Sequence, residues 1–555
     1  MMIWKAAALV LALLAAPAGA QETHGRVAVR VTAGDEAVED ARVRSGGVAA
    51  RTDPAGRAVL RLAAGRRALS VWKPGFAPAA LTVEVAAGGD TSVTVSMDEE
   101  AEELEEIVVT STRTGRRIED EPTRVEVLAR EEVEEKMLMT PGDVSMMLNE
   151  TSGLRVQTTS PSLGGANVRV QGLRGRYTQL LSDGLPLYGG QSGALGLLQI
   201  PPMDLAQVEV IKGAASALYG SSALGGVVNL VSRRPGDEAE RELLLNQTTR
   251  DGTDVVGFAA APLSERWGYT LLAGLHRQSR ADVDGDRWAD IPGYRRAVMR
   301  PRLFWSDGEG RSVILTAGAT VEERRGGGHV PGGAFPESLG TRRGDVGAVG
   351  RFLLGGELLL TARASAMAQR HRHGFGGVDE DDLHSTGFGE AALSGSGGGH
   401  RWVLGAALQG ERYGAEDVAG FDYTYVTPSV FGQEEYSPAE WLTLSLAARV
   451  DRHSEYGTFA NPRVGVLLRP GPWTVRGSVG TGYFAPTPFT EETEAIGLSR
   501  LRPIAGLEAE RARTASLDVG RTLGALELNA TLFGSRTENA IRLRESAGVL
   551  ELANA

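Results

Sequence analysis

Asp282, Asp284 and Asp286 alternate along the chain with Asp290 shortly after, and carboxylates at that spacing can offer hard oxygen ligands to Ca²⁺. No glutamate follows at the spacing of a helix-loop-helix calcium site, so a solvated acidic loop is the competing reading. Arg169, Arg174, Arg176 and Lys212 are a second group; wherever such cations are buried they need carboxylate partners. The eight histidines, including His371 and His373, show no metal-ligand spacing tied to a helix, which leaves loop capture of haem or copper, or plain solvation. No nucleophile stands with a base. Gly46-Gly47, Gly164-Gly165 and Gly225-Gly226 lie at turns or strand ends, without the strand-to-helix setting of a phosphate-binding loop. The sequence reads as no enzyme, and a structural calcium ion is the one cofactor it accommodates.

The compartment follows from the first residues. Lys5, the apolar stretch Ala6 to Ala16 and the small-x-small site Ala18-Gly19-Ala20 read as a secretory signal peptide over residues 1–20, too short to span a bilayer. With no cysteine, neither disulfides nor thiolate metal sites stabilise the chain. A net charge of −12 argues against a nucleic-acid surface. Beyond residue 20 no apolar run is long enough for a spanning helix, so crossing a membrane requires a closed barrel.

Residues 21–97 read as a small β-sandwich, with strands at Arg26 to Val31, Ala58 to Leu62, Ala68 to Val71 and Leu81 to Val85, broken by turns at Asp53 to Gly56 and Lys73 to Phe76. Residues 98–115 begin with a run of acids that cannot bury apolar area and should be a solvated linker. Its end, Leu104-Glu-Glu-Ile-Val-Val-Thr-Ser-Thr-Arg113, is β-prone and could be captured by a partner as an added strand. Residues 116–236 mix elements: helices at Ala129 to Leu138 and at Thr140 to Leu148, the latter with Thr140 as N-cap and Pro141 in the first turn, and strands at Val168 to Gly172, Tyr177 to Leu181 and Val208 to Ile211. Asp183-Gly184 signals a tight turn, and Gly213 to Tyr219 a short helix.

From residue 237 onward period-two alternation takes over, as in Leu442, Leu444, Leu446, Ala448 and Val450. A soluble sandwich alternates too, but its strands are commonly about 5–6 residues long. These run about twice that, the length needed to cross a bilayer at a tilt. Short connections such as Gly355-Gly356 and Gly471-Pro472 alternate with long polar ones, Ala281 to Tyr294, Arg325 to Gly340, His373 to Asp382 and Tyr483 to Arg511. That asymmetry belongs to an outer-membrane barrel, and Trp267, Trp402, Trp441 and Trp473 stand where an interfacial girdle would place them. The fold class is therefore mainly β, an N-terminal sandwich and an α+β unit preceding a transmembrane antiparallel barrel.

The blocks Val168-Arg-Val-Gln-Gly-Leu-Arg-Gly-Arg176, Leu181-Ser-Asp-Gly-Leu-Pro-Leu187, Val208-Glu-Val-Ile-Lys-Gly213 and Leu218-Tyr-Gly-Ser-Ser-Ala-Leu-Gly-Gly-Val-Val-Asn-Leu230 stand in the order of plug-domain motifs. With the segment before Arg113, they make the chain resemble TonB-dependent outer-membrane receptors. The resemblance implies a TonB box at Glu105, Glu106, Ile107, Val108, Val109 and Thr110, and a plug inside a twenty-two-stranded barrel. It implies plug-to-barrel ionic contacts from Arg169, Arg174, Arg176 and Lys212, with Glu510 as the barrel partner because Leu507-Glu-Ala-Glu510 resembles the family's Leu-x-Pro-Glu element. Ala509 replaces that proline, Lys212 stands where arginine is usual, and Phe484 replaces an arginine in Gly482-Tyr-Phe-Ala-Pro-Thr487.

Residues 21–97 resemble the carboxypeptidase regulatory-like domain found ahead of many such plugs, which implies no peptidase activity. About fifteen strands can be counted, and the chain lacks a terminal aromatic, so it is expected to be cut short by roughly seven strands. The expected function is active import of a scarce nutrient, a ferric siderophore first, by a receptor seated in outer-membrane lipid. TonB, ExbB and ExbD are the expected partners, and the sandwich is expected in the periplasm. Cobalamin, haem or another metal complex is the alternative cargo, and a passive porin or a secreted adhesin the alternative class.

Overall fold

The computed structural model describes the chain from residue 24 onward, except residues 35, 47, 74–75, 98–107, 114, 161, 189–196, 331–332, 356–357, 525 and 547. The expected signal peptide, most of the acidic linker, and Glu105, Glu106 and Ile107 lie outside the described residues. The chain divides into two compact units, residues 1–106 and 107–555.

In the first unit two four-stranded sheets share one apolar core. His24–Ala33 shows how the sequence makes this: alternate residues Val27, Val29 and Val31 are buried while the residues between them are exposed. Arg42–Ser45, Val48–Arg51 and Asp90–Ser96 are additional strands. The last pairs in parallel with His24–Ala33, a closure that depends on distant chain and leaves no local pattern.

The second unit opens with a five-stranded mixed sheet in the spatial order Val125–Leu128, Leu205–Lys212, Gly226–Ser232, Thr178–Ser182 and Leu185–Tyr188. The helices Arg130–Met137 and Ser145–Asn149 contribute Val133, Met147 and Leu148 to the core on one face of it. The expected capping by Thr140 is corrected: the second helix begins later, and Asp143 Oδ1 accepts the Ser145 amide at 2.9 Å. Asp183 and Gly184 both take positive φ, 50° and 77°, giving the two-residue turn their types require between Thr178–Ser182 and Leu185–Tyr188.

Around this unit runs a fifteen-stranded antiparallel sheet, from Glu240–Gln247 to Leu526–Glu538, in which each strand pairs with its neighbours in sequence. Among the described residues its two edge strands do not pair with each other, and Ile541–Ser546 with Val549–Asn554 forms a separate hairpin. Two expected long loops are corrected. His373 to Asp382 and Arg325 to Gly340 lie within paired strands, Leu358–Phe375 with Val378–Gly397 and Arg311–Val330 with Gly333–Leu354. These ribbons of 18 to 22 residues outrun a bilayer crossing, and past it polar residues such as Glu337, Thr341, His371 and Asp382 occupy the buried face too, so the alternation of apolar with polar types that reveals a strand disappears.

The polarity of the sheet is the reverse of a soluble core. Leu243, Leu275, Leu404, Val430, Leu446, Val464, Val479 and Leu532 are exposed on the outside, whereas Arg296, Arg302, Glu322, Glu390, Arg449, Asp451 and Glu510 are buried inside. No helix among the described residues is long and apolar enough to cross a membrane. Trp267 and Trp473 begin strands beside short turns and are exposed, as a girdle at the interface requires.

Leu446, 55 % exposed on Leu442–His453, faces outward about a third of the way along its strand. Replacing it with Arg should destabilise the protein by about 2–4 kcal/mol in lipid vesicles, the cost near a bilayer midplane. Urea unfolding in vesicles measures this, and a cost no greater than for Leu446→Ala would show that this face does not meet hydrocarbon.

Candidate functional site

The described end of the expected TonB box is docked on the plug. Val108–Val109 forms a two-residue ladder with Arg116–Arg117. Val109 is fully buried in a cluster with Val125, Leu181, Ile211, Ala215 and the barrel residue Ala447, while Val108 keeps 42 % of its surface. Val109 and Thr110 are therefore not part of a free tether. The backbone of Thr110 and Ser111 is received by the carboxylate of Glu209, and Thr112 Oγ1 donates to Glu121 at 2.7 Å.

Arg113 completes the docking. Its guanidinium forms two hydrogen bonds with the barrel carboxylate Glu390, at 2.5 and 2.8 Å, and a third with the Leu218 carbonyl at 2.8 Å. The rings of Tyr219 and Phe431 lie 4.8 and 4.4 Å from it. Burial alone would lower the Arg113 pKa, but Glu390 outweighs that and raises it, so the cation is locked in its charged form. Glu390 is shared with Arg363 at 2.6 Å, which binds the plug a second time through the Gly184 carbonyl.

A second junction joins the plug to the start of Glu510–Leu523. Arg176 reaches Glu510 through Nη2 at 3.0 Å and Nε at 3.2 Å, and Glu491 through Nη1 at 2.7 Å. Tyr177 donates to the same Glu510 at 2.7 Å, and burial raises its pKa, keeping the phenol a donor. Arg174 pairs with Glu492 at 2.8 Å. Two expected plug-to-barrel contacts are corrected. Lys212 pairs with Glu126 at 2.8 Å inside the plug, because the two stand on adjacent strands of its sheet. Arg169 has no ion pair among the described residues; it pairs by backbone with Arg155 in the Leu154–Ser160 hairpin.

Beside the second junction is a cavity of about 160 Å³, lined by Asn167 and Gln179 of the plug, Glu411, Tyr425 and His453 of the sheet, and Phe489, Glu491 and Glu494 of the loop over residues 485–509. Phe489, Glu491 and Glu494 belong to the long connection between Trp473–Phe484 and Glu510–Leu523, so the cavity lies at the long-loop end of those strands. Asp282, Asp284 and Asp290 bring one carboxylate oxygen each to within 4.8 Å of one another. Asp286 is directed elsewhere, accepting the Trp288 amide at 2.7 Å. His371 and His373 stand two residues apart on Leu358–Phe375 and line one pocket with Phe489 and Thr493 of the outer loop, His371 being held by Asp382 at 3.2 Å.

Glu209, Glu390, Arg363 and Glu491 escape a reading of motifs. A trace of Glu209 exists, since it is the charged residue within an apolar strand block, Val208-Glu-Val-Ile211. Glu390 leaves none, being one polar residue among many on an alternating strand.

Glu494 supplies a pH test. Burial first, then the neighbouring Glu491 and Glu492, pushes its carboxyl up to about 8. A carboxyl raised on folding stabilises the loop fully below its unfolded pKa of about 4.3, and that contribution is lost as pH rises toward the folded value. Limited proteolysis of the loop over residues 485–509 should therefore quicken between pH about 5 and 8, and Glu494→Gln should flatten the profile; an unchanged profile would show that Glu494 does not control the loop.

Residues 117–227 match the TonB-dependent Receptor Plug Domain, and residues 373–554 match the TonB dependent receptor-like β-barrel. The iron-regulated outer membrane virulence protein of Vibrio cholerae is 24% identical over 450 residues, covering 74% of this chain. The chain spans 64% of that relative's length. The ferrioxamine receptor of Yersinia enterocolitica is 31% identical over 195 residues, 35% of this chain and 26% of that one. Among solved structures, a ferric enterobactin receptor mutant from Pseudomonas aeruginosa superposes with a TM-score of 0.65 at 17% identity, covering 81% of this chain and 77% of that one. The siderophore receptor PirA of the same organism gives 0.60 at 18% identity, with 78% of each chain covered. The two matched families together take in more than half of the chain, in the order and position of the plug and sheet described above, and the chain belongs to the TonB-dependent receptors.

Proposed function

We propose that this receptor imports a ferric siderophore across the Gram-negative outer membrane, driven by TonB with ExbB and ExbD. The observation that carries the reading is the pairing of two ends of one plug: a β-prone segment docked at the short-turn end, and a polar cavity under the long loop at the other. A ligand gripped by outer loops and plug apex can alter the Arg176 to Glu510 and Glu491 junction, while a partner pairing with the exposed edge at Val108 can pull from below. The iron-linked relatives favour a siderophore as cargo. Cobalamin is the second reading, supported by the vitamin B12 transporter of Vibrio cholerae, 27% identical over 195 residues. The N-terminal sandwich is assigned to the periplasm as a carboxypeptidase regulatory-like module. A passive porin is disfavoured because the plug and its ion pairs fill the lumen.

Asp282, Asp284 and Asp290 are proposed to hold calcium that orders the first outer loop. Calorimetric titration of Ca²⁺ into the receptor should give heat that the combined Asp282→Asn, Asp284→Asn and Asp290→Asn change removes. Absence of heat from the parent receptor would eliminate the site.

Because Val109 is packed against the plug, Ile107 is the better place to test coupling. Ile107→Pro removes a backbone donor from the segment a partner would capture without changing Val109, Thr110 or Ser111. Energised uptake of labelled ferric siderophore should fall to the level of cells lacking TonB, while equilibrium binding to isolated outer membranes stays unchanged. Uptake that survives this substitution and deletion of residues 103–107 would contradict TonB coupling.

A further inference from the structure

Glu209 stands in the middle of Leu205–Lys212, at the heart of the plug sheet between Val125–Leu128 and Gly226–Ser232. Its neighbours Val208 and Val210 face the helix side of the sheet, in the cluster with Leu128 and Val133. Glu209 points the other way, toward the layer where Ile211 packs with Val109, Val125 and Leu181. The residue has no exposed surface, and among the described residues no cation forms an ion pair with it.

A carboxylate in such a place is costly unless donors surround it. Five do. Oε1 accepts from the Thr110 amide at 2.9 Å, from Thr110 Oγ1 at 2.9 Å and from Gln207 Nε2 at 2.8 Å. Oε2 accepts from the Ser111 amide at 2.7 Å and from Asn229 Nδ2 at 3.2 Å. Three of the five donors belong to Thr110 and Ser111, the residues immediately after the buried Val109.

We propose that Glu209 is a positioning residue, a clasp that holds the TonB-coupling segment on the plug until it is pulled; this rests on the TonB-coupled reading above. The order of contacts along the chain gives the clasp its place. Val108 presents an exposed edge, so a partner that pairs there and pulls peels the chain from its upstream end. After the Val108–Val109 ladder and the Gln207 Nε2 bond to the Val108 carbonyl at 3.1 Å, the Glu209 hydrogen bonds are the first contacts to a charged group met by that peeling, ahead of Thr112 with Glu121 and Arg113 with Glu390. Lifting Thr110 and Ser111 strips three donors from the carboxylate and opens it to water, so the segment is either fully seated or released.

The chain contains no cysteine, which makes thiol labelling a clean readout. Val109→Cys places a thiol at a fully buried position in the clasped segment, and Val133→Cys places one in the plug core remote from it. In receptor in isolated outer membranes, Glu209→Gln should speed maleimide labelling of the thiol at position 109 by about tenfold, the effect of losing roughly 1.4 kcal/mol of docking. The amide keeps one acceptor but turns a donor toward either the Thr110 or the Ser111 amide. Labelling at position 133 should stay slow, and Glu209→Asp, which keeps the charge on a shorter arm, should give a smaller increase. Thr110→Val should speed labelling by itself and add less than its own effect when combined with Glu209→Gln, because the two changes delete one shared hydrogen bond.

Equal labelling at position 109 with Glu209 and with Gln overturns the clasp. If Glu209→Gln also exposes position 133, Thr110→Val alone decides, and labelling at 109 left unchanged by it overturns the proposal. Labelling does not require TonB. Failure of the coupled reading would appear in uptake by the Ile107→Pro receptor, and failure of the clasp in labelling of the receptor by itself.

Discussion

A sheet whose outer face meets hydrocarbon must turn its polar side chains inward, and the charges so collected have to be neutralised by something inside. Arg296, Arg302, Glu322, Glu390, Arg449, Asp451 and Glu510 are all buried within the sheet. Some pair along the wall, as Arg449 does with Asp451 at 2.7 Å, Arg363 with Glu390 at 2.6 Å and Arg324 with Glu322 at 2.9 Å, and several of them take further partners from the plug. Glu390 also receives Arg113, Glu510 receives Arg176 and Tyr177, and Arg324 donates to the Leu163 carbonyl at 2.9 Å. The plug is therefore the other half of the lumen's electrostatics, and its removal as one body would leave carboxylates and guanidiniums unpaired on both surfaces.

That constraint gives mechanical meaning to where contacts lie. Charged hydrogen bonds in partly dry surroundings contribute about 1.5–3 kcal/mol each, so clusters at Glu390 and Glu510 resist wholesale extraction. The coupling segment is the local exception. Val108 is open at its edge, and behind it the chain is held in sequence by Glu209, Glu121 and Glu390. Force applied at that edge breaks these contacts one after another, which is cheaper than shearing both junctions at once. Tyr219 links the two halves of this arrangement, donating to the Ser111 carbonyl at 2.6 Å while its ring lies beneath the Arg113 guanidinium.

The parts of this arrangement legible in the sequence are those written in local periodicity or in motifs. Alternation in Leu442 to Val450 announces a strand whose apolar face looks outward, and Asp183-Gly184 announces its turn by residue type. Arg176 and Glu510 are found through the motifs that contain them. Lys212 shows the limit of that approach, because its motif gives no sign that Glu126 on the adjacent plug strand takes the charge. Glu209 and Glu390 depend on contacts across 99 and 277 residues of chain, which no window along the sequence spans. The ribbons near Gly376 were hidden for a different reason: beyond the bilayer polar residues such as His371, Glu380 and Asp382 stand on the buried face as well, and the period of two in residue type vanishes while backbone pairing continues.

The account stands on the coupling segment being seated at rest and released only under force. Amide hydrogen exchange at Thr110 and Ser111 in the wild-type receptor measures this most directly, because both amides donate to a buried carboxylate. Exchange slowed by orders of magnitude relative to an unstructured peptide in the receptor alone, and accelerated when the periplasmic part of TonB is added, is the predicted result. Exchange at the rate of an unstructured peptide with no partner present would contradict it.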